Sequence, residues 1–448
     1  MNIPASRVLK FGGTSVADYD AQGRSAQLVA NQPESRIVVV SAAAGVTNAL
    51  VGLSQAKDSA TAENFRNLIR DREQHFFDAL GEPDALKATY WTLMEELDAS
   101  GPCAGQARDQ LLSLGERFSS LFFAERLRQL GMPAVQLPAR FLIATDSQFG
   151  HAEPDVARTR QQVQVALNDH QGEILVTEGF VGADIDGNLT TLGRGGSDYS
   201  AALLAEGADA DWVEIWTDVK GLYTTDPRLA PKARPLAELS FAQAAELATF
   251  GAKVLHPKTL WPAMRHDIPV FIGSTLDASG GTVIRREVTG ERRYAALALR
   301  KNQTLLKITS PEMLYSYGFL ARAFTLLAKH QISVDLVTTS EISIALTLDE
   351  RGSEQALDES VLEELKSLGT IEVQEGLALV ALVGDNLNTT PKVAAEVFDA
   401  LGGINVPLIC HGASPHNLCL LVEEKDGPQA IARLHERLFE RLKIAAAS

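Results

Sequence analysis

A glycine-rich segment at residues 190–200, with the sequence TTLGRGGSDYS, combines residue types that bind small anions. Three glycines within four positions leave backbone N–H groups exposed in a tight turn, and Ser197 and Asp198 are good N-cap residues for the helix-forming run that follows. Such a loop binds phosphate or carboxylate oxygens, with Arg194 as a bidentate donor. Asp198 beside Arg194 suits an amino acid, although on this segment alone a glycine-rich turn with an incidental salt bridge is the preferred interpretation.

A lysine followed by two glycines marks a second candidate site. Lys10 lies near the end of the apolar run at 7–11, and the residues GGTS follow at 12–15. In an open parallel sheet, ligands bind beyond the carboxyl ends of the strands, so this lysine is well placed to contact a transferable phosphate. The spacing is not that of a Walker A loop, and a surface lysine before a turn is the alternative interpretation.

Two further segments carry polar residues next to apolar runs. Glu116 lies close to the apolar face of a helical pattern, where three interpretations stay open: it reaches solvent, pairs with a nearby arginine or faces a site. A strand pattern from Trp212 leads into a polar loop with Asp218, Tyr223 and Arg228. An aromatic ring and an arginine suit the base and phosphates of a nucleotide, and a turn-rich surface loop is an equal alternative.

Strand and helix patterns alternate along the first 290 residues, which predicts βαβ units. The predicted strands lie at 7–11, 36–40, 134–137, 173–180, from 212, and at 269–272. The predicted helices lie at 154–169, 200–207 and 241–250, with a helical region from 50 to about 130. Small residues at 279–281 and charges at 285–287 predict a linker over 274–293, with a domain boundary near 290.

Beyond residue 290, two segments share one layout of helix, two strands and helix. The first is predicted at 319–330, 333–339, 342–348 and 359–368, and the second at 391–401, 406–410, 418–422 and 428–441. With strands at 304–308 and 377–383, each segment approaches the βαββαβ order of a ferredoxin-like fold.

Composition indicates a globular chain of two or three domains, since 448 residues include 45% hydrophobic and 22% charged ones. The formal net charge of −16 argues against nucleic-acid and anionic membrane partners. Cys103, Cys410 and Cys419 are widely spaced, which predicts reduced thiols without a disulfide or a metal site. Because no apolar run has signal-peptide or membrane-spanning length, we expect a cytoplasmic protein.

Four segments, in their order and spacing, resemble the aspartate kinases, and within them the monofunctional, lysine-sensitive type. They are KFGGTSVAD at 10–18, TLGRGGSDY at 191–199, WTDVKGLYTTDPR at 216–228 and FGAKVLHP at 250–257. The resemblance extends from Val8 to about Leu442 and implies an α/β amino acid kinase domain over 1–290, with a mainly parallel sheet between helices. Two ferredoxin-like ACT regulatory units would follow at 300–385 and 386–448, the second nested with the strands near 300–310.

The resemblance implies that ATP and L-aspartate give 4-phospho-L-aspartate and ADP, the first step toward lysine, threonine and methionine through the diaminopimelate pathway. It implies Mg²⁺ with ATP, and it assigns catalysis to Lys10 and Asp198. By position, the aspartate ligands would be Thr47, Glu116, Arg194 and Asp198. The ATP ligands would be Lys10, Gly12, Gly13, Thr217, Asp218, Tyr223, Arg228, Lys253 and Val254, with the glycines donating backbone amides.

The resemblance also implies feedback inhibition by lysine, with threonine as the second candidate, and a homodimer or dimer of dimers formed through ACT units. The helix predicted after Gly318 would bind the carboxylate of lysine with its first amides, and Asp335 and Glu341 would accept its two ammonium groups. The lysine site would comprise Met313, Ser316, Phe319, Leu320, Ser333, Val334, Asp335, Ser340 and Glu341. Without the resemblance, Asp335 and Glu341 are ordinary strand-end carboxylates.

Two other functions compete with this interpretation. Acetylglutamate, glutamate and uridylate kinases share the implied fold, but the pair of ACT units argues against them. A catalytically idle amino-acid sensor would use the ACT units alone, and the presence of Lys10, Arg194 and Asp198 argues against that function.

Overall fold

The computed structural model describes residues 6–251, 257–290, 293–349 and 357–440. The chain forms two compact units. The first comprises Met1–Leu222, Pro235–Phe241 and Lys253–Val288, and the second comprises Tyr223–Arg234, Ala242–Ala252 and Thr289–Ser448. Within the described ranges, no helix combines the length and apolar character needed to cross a membrane. The domain limits predicted from the sequence stay a prediction.

The first unit is an α/β structure. Its strands are β1 (Arg7–Phe11), β2 (Ser35–Val40), β3 (Ala134–Gln136), β4 (Ile174–Glu178), β5 (Val181–Ala183), β6 (Leu189–Thr191), β7 (Trp212–Thr217), β8 (Glu238–Ser240), β9 (Val270–Ser274) and β10 (Gly281–Arg285). Its helices are α1 (Tyr19–Ala30), α2 (Val46–Ser54), α3 (Ser59–Ala79), α4 (Asp84–Ala99), α5 (Gly105–Gln129), α6 (Val156–Asp169), α7 (Gly196–Ala208) and α9 (Pro257–His266). The helix α8 (Phe241–Phe250) belongs mostly to the second unit.

Eight of these strands form one sheet in the order β3-β4-β2-β1-β7-β9-β10-β8, while β5 and β6 form a separate antiparallel ribbon. Every neighbouring pair is parallel except β9 with β10, so the predicted mainly parallel sheet is confirmed. The central strands are continuous apolar runs because helices cover both faces of such a sheet. Their carboxyl ends meet at one edge.

The predicted linker at 274–293 is wrong in part, because Gly281–Arg285 forms strand β10. The side chains of Thr282 and Ile284 are fully buried, as in a sheet strand. The strand was not predicted because Gly281 is typical of a loop. Glycine is needed there because the backbone of β9 comes close: a Cβ at 281 would lie 2.4 Å from the carbonyl oxygen of Ile272. The three-residue strands β5, β6 and β8 were also missed.

The second unit is built on one antiparallel sheet in the order β12-β13-β11-β14-β16-β15. Its strands are β11 (Ala296–Thr309), β12 (Val334–Thr339), β13 (Ser343–Asp349), β14 (Thr370–Val383), β15 (Leu408–His411) and β16 (Asn417–Glu423). Its helices are α8 (Phe241–Phe250), α10 (Phe319–Lys329), α11 (Glu359–Lys366), α12 (Val393–Leu401) and α13 (Gly427–His435), and a π-helical turn, Glu436–Glu440, follows α13.

The strands β11 and β14 are 14 residues each and serve two ferredoxin-like units. The later half of β11 pairs with β13 and with the start of β14, whereas its first half, 296–300, pairs with 379–383. The second βαββαβ unit is therefore completed by residues that precede the first unit. The strand predicted at 304–308 is longer than expected, because it begins at Ala296.

Candidate active site

A cavity of about 430 Å³ lies in the first unit, next to the carboxyl ends of β1 and β2. Its lining includes Lys10, Thr47, Glu116, Arg194 and Asp198, which come from four separate parts of the chain. The four residues predicted to bind aspartate therefore share one pocket with the lysine predicted to contact phosphate.

Lys10 and Asp198 form an ion pair inside this pocket. Lys10 Nζ lies 2.6 Å from Asp198 Oδ1, as a charge contact without the alignment of a hydrogen bond. Lys10 is only 8% exposed, since it lies on the central strand β1. The fold thus holds a positive charge at the edge of the sheet where parallel strands present ligands.

Asp198 is held by the first turn of α7. The prediction that Ser197 and Asp198 are N-cap residues is wrong, because the helix begins at Gly196 and its N-cap residue is Gly195. Gly195 has a φ of 74°, a left-handed conformation that glycine adopts without steric cost. In this first turn the Gly196 and Tyr199 amides donate to the carbonyls of Gly193 and Gly195. The amides between them, together with the positive end of the helix dipole, favour a carboxylate or phosphate in the cavity.

Glu116 supplies a buried acid to the same cavity. Burial raises the pKa of this carboxyl to about 8, the nearby charge of Glu178 raises it further, and a hydrogen bond from the Ala42 N–H and the charge of Lys10 oppose the shift. Among the residues that the structure describes, Glu116 Oε2 has no hydrogen-bond partner. An acceptor that is buried and unsatisfied is suited to a ligand cation, since ion pairing would recover the cost of its burial.

Glu178 does not line the cavity, but its charge acts on Glu116, and sequence reasoning did not single it out. It is the last residue of the apolar strand β4, and it accepts hydrogen bonds from Gln136 at 2.9 Å, from Ser120 at 3.3 Å and from the Ala139 amide. These partners hold its carboxylate in place, and its charge acts on Glu116. A lone glutamate at the end of an apolar strand was the available signal.

The residues predicted for the phosphate side lie at the carboxyl ends of β1 and β7, which are parallel neighbours. The Gly12 amide donates to the carbonyl of Trp216 at 3.0 Å and so already has an acceptor, and the donation of the Gly12 and Gly13 amides to phosphate stays a prediction. Thr217 and Asp218 follow directly, with Thr217 Oγ1 donating to Asp218 Oδ1 at 3.1 Å.

The other predicted ATP ligands lie elsewhere in the chain. Tyr223 and Arg228 belong to the second unit, where the exposed Arg228 guanidinium donates to Asp226, with Nη2 and Oδ2 2.6 Å apart. Lys253 and Val254 lie outside the described residues.

The residues predicted to bind lysine belong to the first ferredoxin-like unit. Gly318, with a φ of 78°, is the N-cap residue of α10, which begins at Phe319 as predicted. The side chain of Phe319 is buried in the core of this unit, so its backbone N–H is the group that a ligand would meet. The structure describes the whole predicted set: Met313, Ser316, Phe319, Leu320, Ser333, Val334, Asp335, Ser340 and Glu341.

Asp335 already has a cationic partner in this structure. Its Oδ2 accepts from the guanidinium of Arg300, which also donates to the carbonyl of Thr249 at 3.2 Å and to Gln303 Oε1 at 3.1 Å. The carboxylate predicted to accept an ammonium group of lysine is therefore paired within the chain. No local pattern indicates this contact, because the partners are 35 residues apart.

Comparisons with known proteins agree in fold and in sequence. The model of the amino acid kinase family matches residues 6–274, and an ACT domain model matches 306–359 and 380–438. The chain is 47% identical to lysine-sensitive aspartokinase 3 of Escherichia coli K12, over 97% of this chain and 99% of that protein. It is 34% identical to chloroplastic aspartokinase 3 of Arabidopsis thaliana, over 97% of this chain and 81% of that protein.

Two crystal structures of E. coli aspartokinase III also match this chain. Each is 46% identical in sequence, and the match covers 97% of this chain and 100% of that one. The complex with aspartate and ADP, the R-state, has a TM-score of 0.89, and the complex with lysine and aspartate, the T-state, has a TM-score of 0.83.

Proposed function

The chain belongs to the aspartokinase family, and from that premise we propose that it transfers the γ-phosphoryl group of ATP to the β-carboxylate of L-aspartate, giving 4-phospho-L-aspartate and ADP, and that lysine inhibits it. The observation that carries this proposal is the shared pocket beside Lys10, which is lined by Arg194 and by the carboxyl groups of Glu116 and Asp198. Such a pocket matches the three charges of aspartate.

Aspartate would be held by its α-substituents. Arg194 would bind the α-carboxylate with its bidentate fork, and Glu116 and Asp198 would accept the ammonium group, with Thr47 beside them. This placement directs the β-carboxylate toward Lys10 and ATP. Glutamate is one methylene longer, so its reactive carboxylate would overshoot that position.

Catalysis would consist of placement and charge neutralisation. The unperturbed pKa of an aspartate side chain is about 3.9, so the nucleophile is already ionised at pH 7 and needs no general base. Two anions must nevertheless approach each other, and Lys10, Lys253 and the amides at Gly13 and the start of α7 would offset their repulsion as charge spreads in the transition state. Mg²⁺ would enter with ATP, as part of the nucleotide substrate, and bridge its phosphate oxygens.

Regulation and assembly would lie in the second unit. Tyr315 and Tyr317, next to the predicted lysine site, are 94% and 100% exposed, and aromatic side chains of this kind are enriched in protein interfaces. Their exposure supports a homodimer or dimer of dimers through the ACT units, with lysine favouring an inactive arrangement. We propose a cytoplasmic location for this enzyme.

Hydroxamate trapping of the acyl phosphate tests the proposal. With ATP and Mg²⁺, aspartate should give hydroxamate, glutamate and acetylglutamate should give little, and lysine should lower the yield with aspartate. A preference for acetylglutamate or glutamate would identify a different kinase of this fold. Lysine binding without hydroxamate from any acceptor would favour the idle sensor instead.

A further inference from the structure

The segment Tyr223–Arg234, which carries two predicted ATP ligands, is fastened to the end of the second unit by buried polar groups. Thr224 Oγ1 lies 2.9 Å from His435 Nε2, and His435 Nδ1 lies 3.2 Å from Glu440 Oε1. His435 is fully buried at the end of α13 and stacks on Phe439, with ring centroids 5.1 Å apart. Hydrogen bonds through the buried Thr224 and His435 and the half-buried Glu440 thus join two segments, and Thr224 and His435 are 211 residues apart.

The protons in these hydrogen bonds can be assigned from their donors and acceptors. Glu440 Oε1 can only accept, so the neutral His435 carries its proton on Nδ1 and its Nε2 accepts from the Thr224 hydroxyl, whose oxygen also accepts from the Arg234 amide at 3.0 Å. His435 Nδ1–H then donates to the Glu440 carboxylate. Burial lowers the pKa of His435, which favours this neutral tautomer. The polar side-chain atoms of Thr224 and His435 therefore all have hydrogen-bond partners.

Other bonds secure both ends of the same segment. Near its end, Lys232 Nζ lies 2.8 Å from Glu440 Oε2, and the Arg234 guanidinium donates to the Phe439 carbonyl at 2.7 Å. At its start, the Thr224 carbonyl accepts from the Leu297 amide of β11 at 2.7 Å. The exposed Arg228 lies between these anchored ends.

We propose that Thr224 and His435 are positioning residues for the nucleotide, holding the backbone next to Tyr223 and the loop that carries Arg228. This inference rests on the proposed function, which assigns those two residues to ATP. The last helix of the second ACT unit is then part of what sets nucleotide affinity, and the aspartate pocket does not depend on it.

A matched pair of variants separates the hydroxyl from the shape of the side chain. Thr224→Val keeps the volume and removes the hydroxyl, leaving His435 Nε2 unsatisfied, whereas Thr224→Ser keeps the hydroxyl. We expect the valine variant to raise the KM for ATP and the Kd for ADP by about tenfold, with kcat and the aspartate KM within twofold of wild type. The serine variant should behave like wild type.

A double-mutant cycle and a milder variant complete the test. Thr224→Val combined with His435→Phe should raise the KM for ATP no more than the larger single change, and additive effects would overturn the proposal. Glu440→Ala, at a less buried position, should raise the same constant about threefold even if the other variants fold poorly. An unchanged ATP constant in this variant, or an equal rise in the aspartate KM, would also overturn it.

Calorimetric titration with ADP separates this inference from the proposed function. If the wild type gives no aspartyl hydroxamate, the proposed function fails, but the ADP affinities of the variants still report whether Thr224 and His435 position the nucleotide. If hydroxamate forms and the ADP affinities do not change, the positioning role alone is wrong.

Discussion

The pocket around Lys10 is lined by buried charged side chains, whereas the region around Asp335 is exposed to solvent. Lys10 and Glu116 are 8% and 3% exposed, while Asp335 and residues 337–342 are exposed. In the pocket, Glu116 Oε2 has no hydrogen-bond partner among the described residues, whereas the Asp335 carboxylate is paired with the Arg300 guanidinium. Lysine bound at Asp335, as proposed, would compete with Arg300 for this carboxylate, whereas the proposed aspartate pocket has a carboxylate oxygen without a hydrogen-bond partner among the described residues.

This difference has a thermodynamic consequence. Binding to a preorganised pocket requires little rearrangement of the protein, so little of the binding free energy is lost. A site that must release Arg300 binds its ligand more tightly in any state of the protein where that ion pair is already weakened, which is the differential affinity that inhibition requires. By reciprocity, aspartate and ATP should weaken lysine binding.

The largest expected effect concerns the buried lysine of the pocket. Lys10→Met should lower kcat by about a hundredfold or more, because it removes a preorganised positive charge from the transition state, with a smaller change in the KM for ATP. Initial rates at saturating substrates measure this. A kcat near that of wild type in a folded variant would show that Lys10 does not neutralise the transferred group.

The next effect concerns the acceptor. Arg194→Ala should raise the aspartate KM by about 10- to 100-fold, as expected for a lost charged hydrogen bond, and leave ADP affinity nearly intact. Arg194→Lys, which keeps the charge without the fork, should fall between wild type and alanine. Equal loss of aspartate and nucleotide affinity in a folded protein would contradict the assignment.

The two partners of the regulatory ion pair should respond in opposite directions. Asp335→Ala should raise the lysine concentration for half-inhibition by about tenfold or more, because an ammonium acceptor is lost, while the uninhibited kcat stays close to wild type. Arg300→Gln should lower that concentration about threefold, since lysine no longer displaces a guanidinium. Full inhibition of Asp335→Ala would place the lysine site elsewhere.

The smallest effect is a pH dependence set by Glu116. Because burial raises its pKa to about 8, the ammonium acceptor is mostly protonated at neutral pH in the empty pocket. The aspartate KM should therefore fall about fivefold between pH 7 and pH 8 as Glu116 ionises. Glu116→Gln should remove this dependence, and an unchanged slope in that variant would assign it to another group.

The same carboxyl affects folding stability. Between the unfolded pKa of 4.5 and the folded pKa of about 8, the folded protein binds a proton that the unfolded chain does not, so the free energy of unfolding falls as pH rises through this window. Glu73, also raised to about 8 by burial, contributes with the same sign. Thermal melts at pH 5 and pH 8 should show a smaller loss in Glu116→Gln than in wild type.

Local signals in the sequence predicted the regular elements well. Apolar runs located β1 and β2, and helical periodicity located α6 and α8 to within two residues. The strand β10 was missed because Gly281 has the composition of a loop, and its role as a close contact with β9 depends on a distant segment. The segments at 10–18 and 191–199 also contain three of the pocket residues, Lys10, Arg194 and Asp198, whereas Thr47 and Glu116 lie outside the four segments that carry the resemblance.

Contacts between residues far apart in the chain could not be predicted from the sequence. Arg300 with Asp335, and Thr224 with His435, are pairs that no spacing or periodicity reveals, because they depend on how β11 and α13 pack in three dimensions. The buried state of Glu178 is similar, since a glutamate at a strand end is usually solvated.

The most direct test of a preorganised aspartate kinase pocket measures hydroxamate formation and ADP binding on the same preparations of wild type and Lys10→Met. We expect wild type to form aspartyl hydroxamate in an ATP-dependent manner, and the variant to lose that product at least about a hundredfold while binding ADP within a few fold of wild type. Aspartyl hydroxamate formed at equal rates by both proteins, or by neither, would contradict the role of this pocket.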